Sequence, residues 1–224
     1  MRRSRIKDIL KCEQPGGEVL VQGWVKTRRS SKNVSFIQIS DGSTLTDIQV
    51  VADESFPDHA LVESLTTGCS VSVSGTLVDS PGKGQKYEIH AKEIELVGTA
   101  DSETYPLQKK RHTPEFLREI AHLRPRTNTF GAMARVRNAM SVAVHGFFQD
   151  RGFNFIQTPI ITASDAEGAG SMFRVTTLDL ENLPRKDGLV DHQEDFFGKP
   201  AFLTVSGQLE AEIFALALCD VYTF

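Results

Sequence analysis

Phe36 stands in the run Ser35-Phe36-Ile37-Gln38-Ile39-Ser40, where a period of two puts Ile37 and Ile39 on one face and Phe36, Gln38 and Ser40 on the other. The isoleucines form the natural core face, which leaves the ring among polar groups. In the next run Ile48 and Val50 share one face, while Asp47 and Gln49 share the opposite one. Lys26, Arg28, Arg29 and Lys32 lie close by in sequence. A polar sheet face bearing one aromatic ring beside cations suits single-stranded nucleic acid. A base stacks on such a ring for roughly 1–3 kcal/mol, amides read base edges, and cations hold phosphates. The competing reading makes Phe36 a plug at one end of a barrel. Trp24, between Gly23 and Val25 in a strand of core character, is expected in the core. Further along, Glu167 sits in a loop rich in Gly and Ala, where residue type alone describes a solvated carboxylate.

These side chains need elements to hold them. The first hundred residues read as five short strands, at 19–29, 35–40, 45–52, 70–79 and 85–97. Turn residues separate them at 30–33, 41–43 and 81–84, and a short helix is predicted over 57–65. Five strands with a helix between the third and fourth match a five-stranded Greek-key barrel of the OB type. Residues 101–130 read as a hinge, containing the basic run Lys109-Lys110-Arg111 and a short helix with Thr113 as cap and Pro114 in first position. From about Gly131 the period becomes helical, with Ala132, Val136, Met140, Val144 and Phe147 on one face. A strand at 153–157, an irregular stretch after 171, a strand at 201–205, an apolar helix at 209–218 and the start of another strand complete the chain. The expected class is α+β, with domains at 1–100 and 131–224 joined by the hinge.

Composition narrows the class without deciding the function. The chain has 224 residues, of which 40% are hydrophobic and 24% charged, as is ordinary for a globular protein. No apolar run approaches the roughly 18–20 residues of a membrane helix, and acidic residues interrupt the basic N-terminal stretch where a secretion signal would be apolar. Cys12, Cys69 and Cys219 show neither metal-ligand spacing nor even pairing, so a reduced, cytoplasmic protein without a metal site is expected. The net charge of −4 is uneven. Residues 1–32 hold nine Lys/Arg against three Asp/Glu, residues 101–137 eight against four, and residues 138–224 five against twelve. Local positive potential is what phosphates respond to, so the acidic total does not exclude nucleic acid.

The run Gly23-Trp24-Val25-Lys26-Thr27-Arg28-Arg29, followed by Phe36-Ile37 and Asp41-Gly42, resembles the anticodon-binding domain of the aspartyl/asparaginyl/lysyl branch of class II aminoacyl-tRNA synthetases. Residues 118–126 resemble the hinge of those enzymes. The helix from 131 with Gly152-Phe153 and Thr158-Pro159 resembles class II motif 1, and residues 161–170 resemble the flipping loop that closes over the amino acid. Residues 177–184 and 203–209 are similar to bacterial-type asparaginyl-tRNA synthetases in particular.

The resemblance implies an OB-fold anticodon-binding domain followed by the first part of a class II antiparallel-sheet catalytic domain. It implies ATP-dependent activation of asparagine and transfer to its tRNA, with Mg²⁺ bridging the ATP phosphates and a homodimer formed through the motif 1 helix. By position, Phe36 corresponds to the ring that stacks on the central anticodon uridine, with Gln49 and Arg29 as its companions. Glu167 corresponds to the carboxylate that holds the substrate ammonium, and Ser164, Ser206 and Gln208 to polar groups around the amino acid. Aspartyl enzymes carry a lysine where this chain has Ala211. A cation there would pair with a carboxylate substrate and stand unpaired against an amide, which is costly, so Ala211 implies asparagine. Motifs 2 and 3, with the arginines that grip ATP, find no match. No catalytic residue is therefore assigned, and these 224 residues alone are expected to be inactive. Two alternatives remain: a non-catalytic tRNA-binding module, or an aspartyl enzyme of relaxed specificity.

Overall fold

The computed structural model describes every residue except Asn33, Asp165, Glu167, Ala169, Gly170 and Ser171. The chain divides into two compact units, Met1–Val136 and Arg137–Phe224.

In the first unit, five strands close a barrel in the order β1-β2-β3-β5-β4. They are β1 (Glu18–Ser31), β2 (Val34–Ser40), β3 (Ile48–Ala52), β4 (Ser70–Asp79) and β5 (Tyr87–Gly98). All neighbours are antiparallel except β3 and β5. Alternation builds the core: Val21, Val25, Ile37, Ile39, Ile48, Val50, Val73 and Ile89 are all buried. Before β1, the short α1 (Ile6–Ile9) buries both its isoleucines. Between β3 and β4, α2 (His59–Ser64) starts where the Asp58 carboxylate accepts the Leu61 N–H at 2.8 Å. These elements match the expected OB barrel, although β3 begins at Ile48, three residues later than the sequence pattern predicts.

Trp24 corrects an expectation. It faces outward, 38% exposed, while its neighbour Val25 is buried. Val19, Val21 and Val25 fill the core, so the even-numbered Trp24 must take the outer face. Gly23 is needed on the inner side because a Cβ there would lie 2.4 Å from the Ser40 carbonyl oxygen. The hinge contributes α3 (Pro114–Glu119), capped by the Thr113 hydroxyl, and a 3₁₀ turn at Arg124–Arg126. The Arg126 guanidinium lies 4.4 Å from the Trp24 ring centroid, and Arg126 also donates to the Tyr105 hydroxyl at 3.2 Å. Tyr105 packs flat on Gly68, where a side chain would strike the ring.

The long α4 (Asn128–Gln149) begins three residues before the predicted start and runs into the second unit. In that unit β6 (Asn154–Phe155) pairs in parallel with β12 (Val221–Tyr222). A three-stranded sheet has the order β7 (Ile161–Thr162), β11 (Ala201–Leu203), β8 (Arg174–Val175). The stretch expected to be irregular contains β8 and a small hairpin, β9 (Arg185–Lys186) and β10 (Leu189–Val190). Asp187 and Gly188 turn that hairpin, both at positive φ. α5 (Gln208–Leu218) follows β11. Tyr222 anchors an aromatic group: it stacks on Phe148 at 4.4 Å, and its hydroxyl shares a 2.8 Å hydrogen bond with His145 Nδ1.

Candidate functional site

A one-residue irregularity in β1 decides which cation reaches Phe36. Val25 pairs with Ile39 and Thr27 with Gln38, so Lys26 is the extra residue of a β-bulge. The bulge reverses the parity of the strand. Beyond it Arg28 pairs with Ile37 on the inner side, and Arg29 pairs with Phe36 on the outer side. Arg28 spends its Nε–H on the Leu65 carbonyl at 3.1 Å. Arg29 is left for the face that carries the ring.

The next ladder completes the surface. Phe36 pairs with Val51, and Gln38 with Gln49. Arg29, Phe36, Gln38 and Gln49 thus line one cleft of about 720 Å³, together with Gly82, Lys83, Gly84 and Gln85 from the β4–β5 turn. The predicted triad of Arg29, Phe36 and Gln49 is brought together. Phe36 is half-buried, with its ring among polar side chains.

Gln49 is 8% exposed, and its position is fixed from a strand that the sequence pattern does not join to it. In the parallel β3–β5 register Gln49 lies beside Glu88. Its Nε2 donates to Glu88 Oε2 at 3.1 Å. The same carboxylate, 5% exposed, accepts from Ser80 Oγ at 2.9 Å and Gln85 Nε2 at 3.2 Å, and meets His90 Nε2 at 3.3 Å. Glu88, Lys83 and Gln85 are the residues that sequence reasoning missed at this site. Alternation alone shows that Glu88 points away from Ile89; it does not show which strand lies next to it. At the edge of the cleft, burial pushes the Asp47 carboxyl above its usual range, with Lys26 and a Ser40 hydrogen bond pulling partly back.

The second group of predicted residues is less convergent. Ser206 Oγ accepts the Gln208 N–H at 3.1 Å at the start of α5, and Gln208 Nε2 donates to Glu212 Oε1 at 2.9 Å. Ala211 is half-buried one turn further on. Antiparallel pairing of Leu203 with Ile161 sends β7 and β11 in opposite directions, so Ser164 and Ser206 leave the sheet at opposite ends. Ser164 is exposed, its N–H held by Thr162 Oγ1 at 3.0 Å. Glu167 lies outside the described residues. Nearby, Asp195 accepts from the Thr176 hydroxyl at 2.6 Å and from the backbone N–H groups of Thr177 and Phe196. These bonds hold its carboxyl well below the usual range.

The profile of the OB-fold nucleic acid binding domain, tRNA_anti-codon, matches residues 19–97. The asparagine–tRNA ligase of Syntrophobacter fumaroxidans is 62% identical over 225 residues, covering 99% of this chain and 48% of that protein. The asparagine–tRNA ligase of Nostoc sp. is 56% identical over 226 residues, covering 100% and 49%. Over its whole length this chain is similar to asparagine–tRNA ligases. It spans about half the length of the curated relatives it matches. The fold agrees: the crystal structure of asparaginyl-tRNA synthetase from Pyrococcus horikoshii complexed with asparaginyl-adenylate superposes with a TM-score of 0.81 at 21% identity, covering 100% of this chain and 47% of that one. The matched OB profile contains the whole of the Arg29, Phe36 and Gln49 cleft, together with Glu88 and the β4–β5 turn.

Proposed function

We propose that the barrel reads a tRNA anticodon, with Phe36 stacking on a base, Gln49 reading its edge and Arg29 holding the adjacent phosphate. The observation that carries this reading is the bulge at Lys26, which sets Arg29 opposite Phe36 on a polar outer face. An aromatic ring on that face offers a base a stacking surface. In an asparagine–tRNA ligase the whole enzyme joins asparagine to its tRNA in the cytoplasm at the expense of ATP. Ala211 supports asparagine, because it leaves no cation at the place where an aspartate side chain would need one. Ser164, Glu167, Ser206 and Gln208 are proposed to surround the amino acid in that enzyme. Mg²⁺ supplies charge neutralisation on the ATP phosphates. Among the described residues no three His, Cys, Asp or Glu side chains converge to hold a metal, so its ligands are not assigned to them.

The apolar side of α4 supports pairing with a second copy. Val136, Met140 and Phe147 are all more than half exposed, and the helix has no buried residue. The reading of the barrel is tested with an asparagine-specific anticodon stem-loop and fluorescence anisotropy. Phe36→Ala is expected to weaken binding by about 1–3 kcal/mol. Unchanged affinity would sink the proposal.

A further inference from the structure

A second cleft, of about 1130 Å³, lies between the barrel and the hinge within the first unit. Six Lys/Arg residues line it, and Asp47 is its one acidic residue. Three of the cations are already engaged. Lys26 donates to the Arg126 carbonyl at 3.0 Å, Arg126 stacks on Trp24, and Arg135 donates to the carbonyls of Gly131 and Gly42. The other three are the exposed run Lys109-Lys110-Arg111, and among the described residues none of them is ion-paired. A basic run of this kind is usually a solvated face. Two observations set this one apart.

The first is that the run is held. Gln108 Nε2 donates to the carbonyls of Ser102 and Tyr105, Lys110 N donates to the Gln108 carbonyl at 2.7 Å, and His112 stacks on Phe116. Cations on a braced turn lose less freedom on meeting an anion. The second is continuity. Asp47 lines both this cleft and the one containing Phe36. Trp24 faces Ser40 in the same ladder where Arg29 faces Phe36, four residues or about 14 Å along β2. A strand of RNA with a base on Phe36 therefore has beside it a second cleft, lined by six cations and one carboxylate, into which it can run.

We infer that Lys109, Lys110 and Arg111 form a second contact, taking the sugar–phosphate backbone of the same RNA whose base is read at Phe36. The inference rests on the barrel reading proposed above. Phosphate contacts and base contacts have different signatures: displaced counterions make the first steeply salt-dependent, and stacking does not.

The test measures affinity of the intact 224-residue chain for the anticodon stem-loop across a salt series. In a Lys109→Ala/Lys110→Ala/Arg111→Ala variant the slope of log K against log salt should become shallower by roughly 0.7–0.9 per lost contact. A fourfold rise in salt should then weaken the unaltered chain about twenty- to fortyfold more than this variant. Phe36→Ala should lose affinity with its slope unchanged. A Lys109→Arg/Lys110→Arg variant should keep the original slope, separating lost charge from disturbed folding. Phe36-dependent binding with a slope unmoved by the triple change would overturn this inference alone. No binding by the unaltered chain would overturn the barrel reading with it.

Discussion

The Gln49 amide has two ends with different chemistry, and the protein settles which end meets the ligand. Gln49 Nε2 donates to Glu88 Oε2, so the side facing Glu88 is the NH₂ group. The carbonyl oxygen then keeps its acceptor capacity for a base bearing an N–H. Orientation of the Gln49 amide is thus fixed by a buried acid that Ser80, Gln85 and His90 also engage. Hydrogen bonds to a charged group contribute about 1.5–3 kcal/mol. Glu88→Ala should therefore lower the unfolding free energy of the barrel by about 2 kcal/mol in urea titration, and RNA affinity should fall with it. Full affinity in a folded Glu88→Ala protein would show that Gln49 needs no such brace. Phe36 and Gln49 could be placed from the sequence because each needs only the period of its own strand. Glu88 could not, since its role depends on β3 lying beside β5 across 39 residues of chain. Trp24 was within reach of the same parity argument, and reading Gly23-Trp24-Val25 as a uniformly buried stretch obscured it.

At the scale of elements, the strands were recoverable where alternation was long and their ends were marked by turn residues. β4 spans 70–79 as predicted, and α3 opens at Pro114 behind its Thr113 cap. α1 escaped notice because four residues carry no period. Its start is supported from far away, by Asp41 accepting the Ile6 N–H at 2.9 Å and Ser43 Oγ accepting the Lys7 N–H at 3.0 Å. The bulge escaped for a related reason: nothing in Val25-Lys26-Thr27 marks an extra residue, which is defined only by the partner strand. Its consequence is nonetheless the largest at the site. A one-residue change of register exchanges the two faces of a strand. Deleting Lys26 should only straighten the strand and leave Arg29 opposite Phe36, whereas inserting an alanine after Thr27 should set Arg28 opposite Phe36 and turn Arg29 inward. With the insertion RNA affinity should fall at least as far as in Arg29→Ala, and with the deletion it should hold, measured by anisotropy on protein whose circular dichroism confirms the barrel. Retention of full affinity by the insertion variant would mean that either arginine serves equally well.

Across the whole molecule, burial is distributed unevenly between the two units. The barrel encloses a continuous core of twenty buried residues. Among the described residues of the second unit only Ile156, Ala201 and Tyr222 are buried apolar groups, while Ile213, Leu216 and Phe224 are largely exposed. Its strands are two or three residues long, against five to fourteen in the barrel. Opening free energy follows buried apolar contact and protected hydrogen bonds, so the two units should open independently and at different cost. Amide exchange of the chain should therefore show the slowest hydrogens in β1–β5, with β6–β12 exchanging orders of magnitude faster. α4 separates packing within one copy from packing between two. If its exposed Val136, Met140 and Phe147 are covered by a second copy, binding of the folded form adds stability that grows with protein concentration. Protection of α4 should then rise over a hundredfold concentration range, while that of the barrel strands stays constant. Fast exchange in α4 at every concentration would remove the paired helix from the proposal.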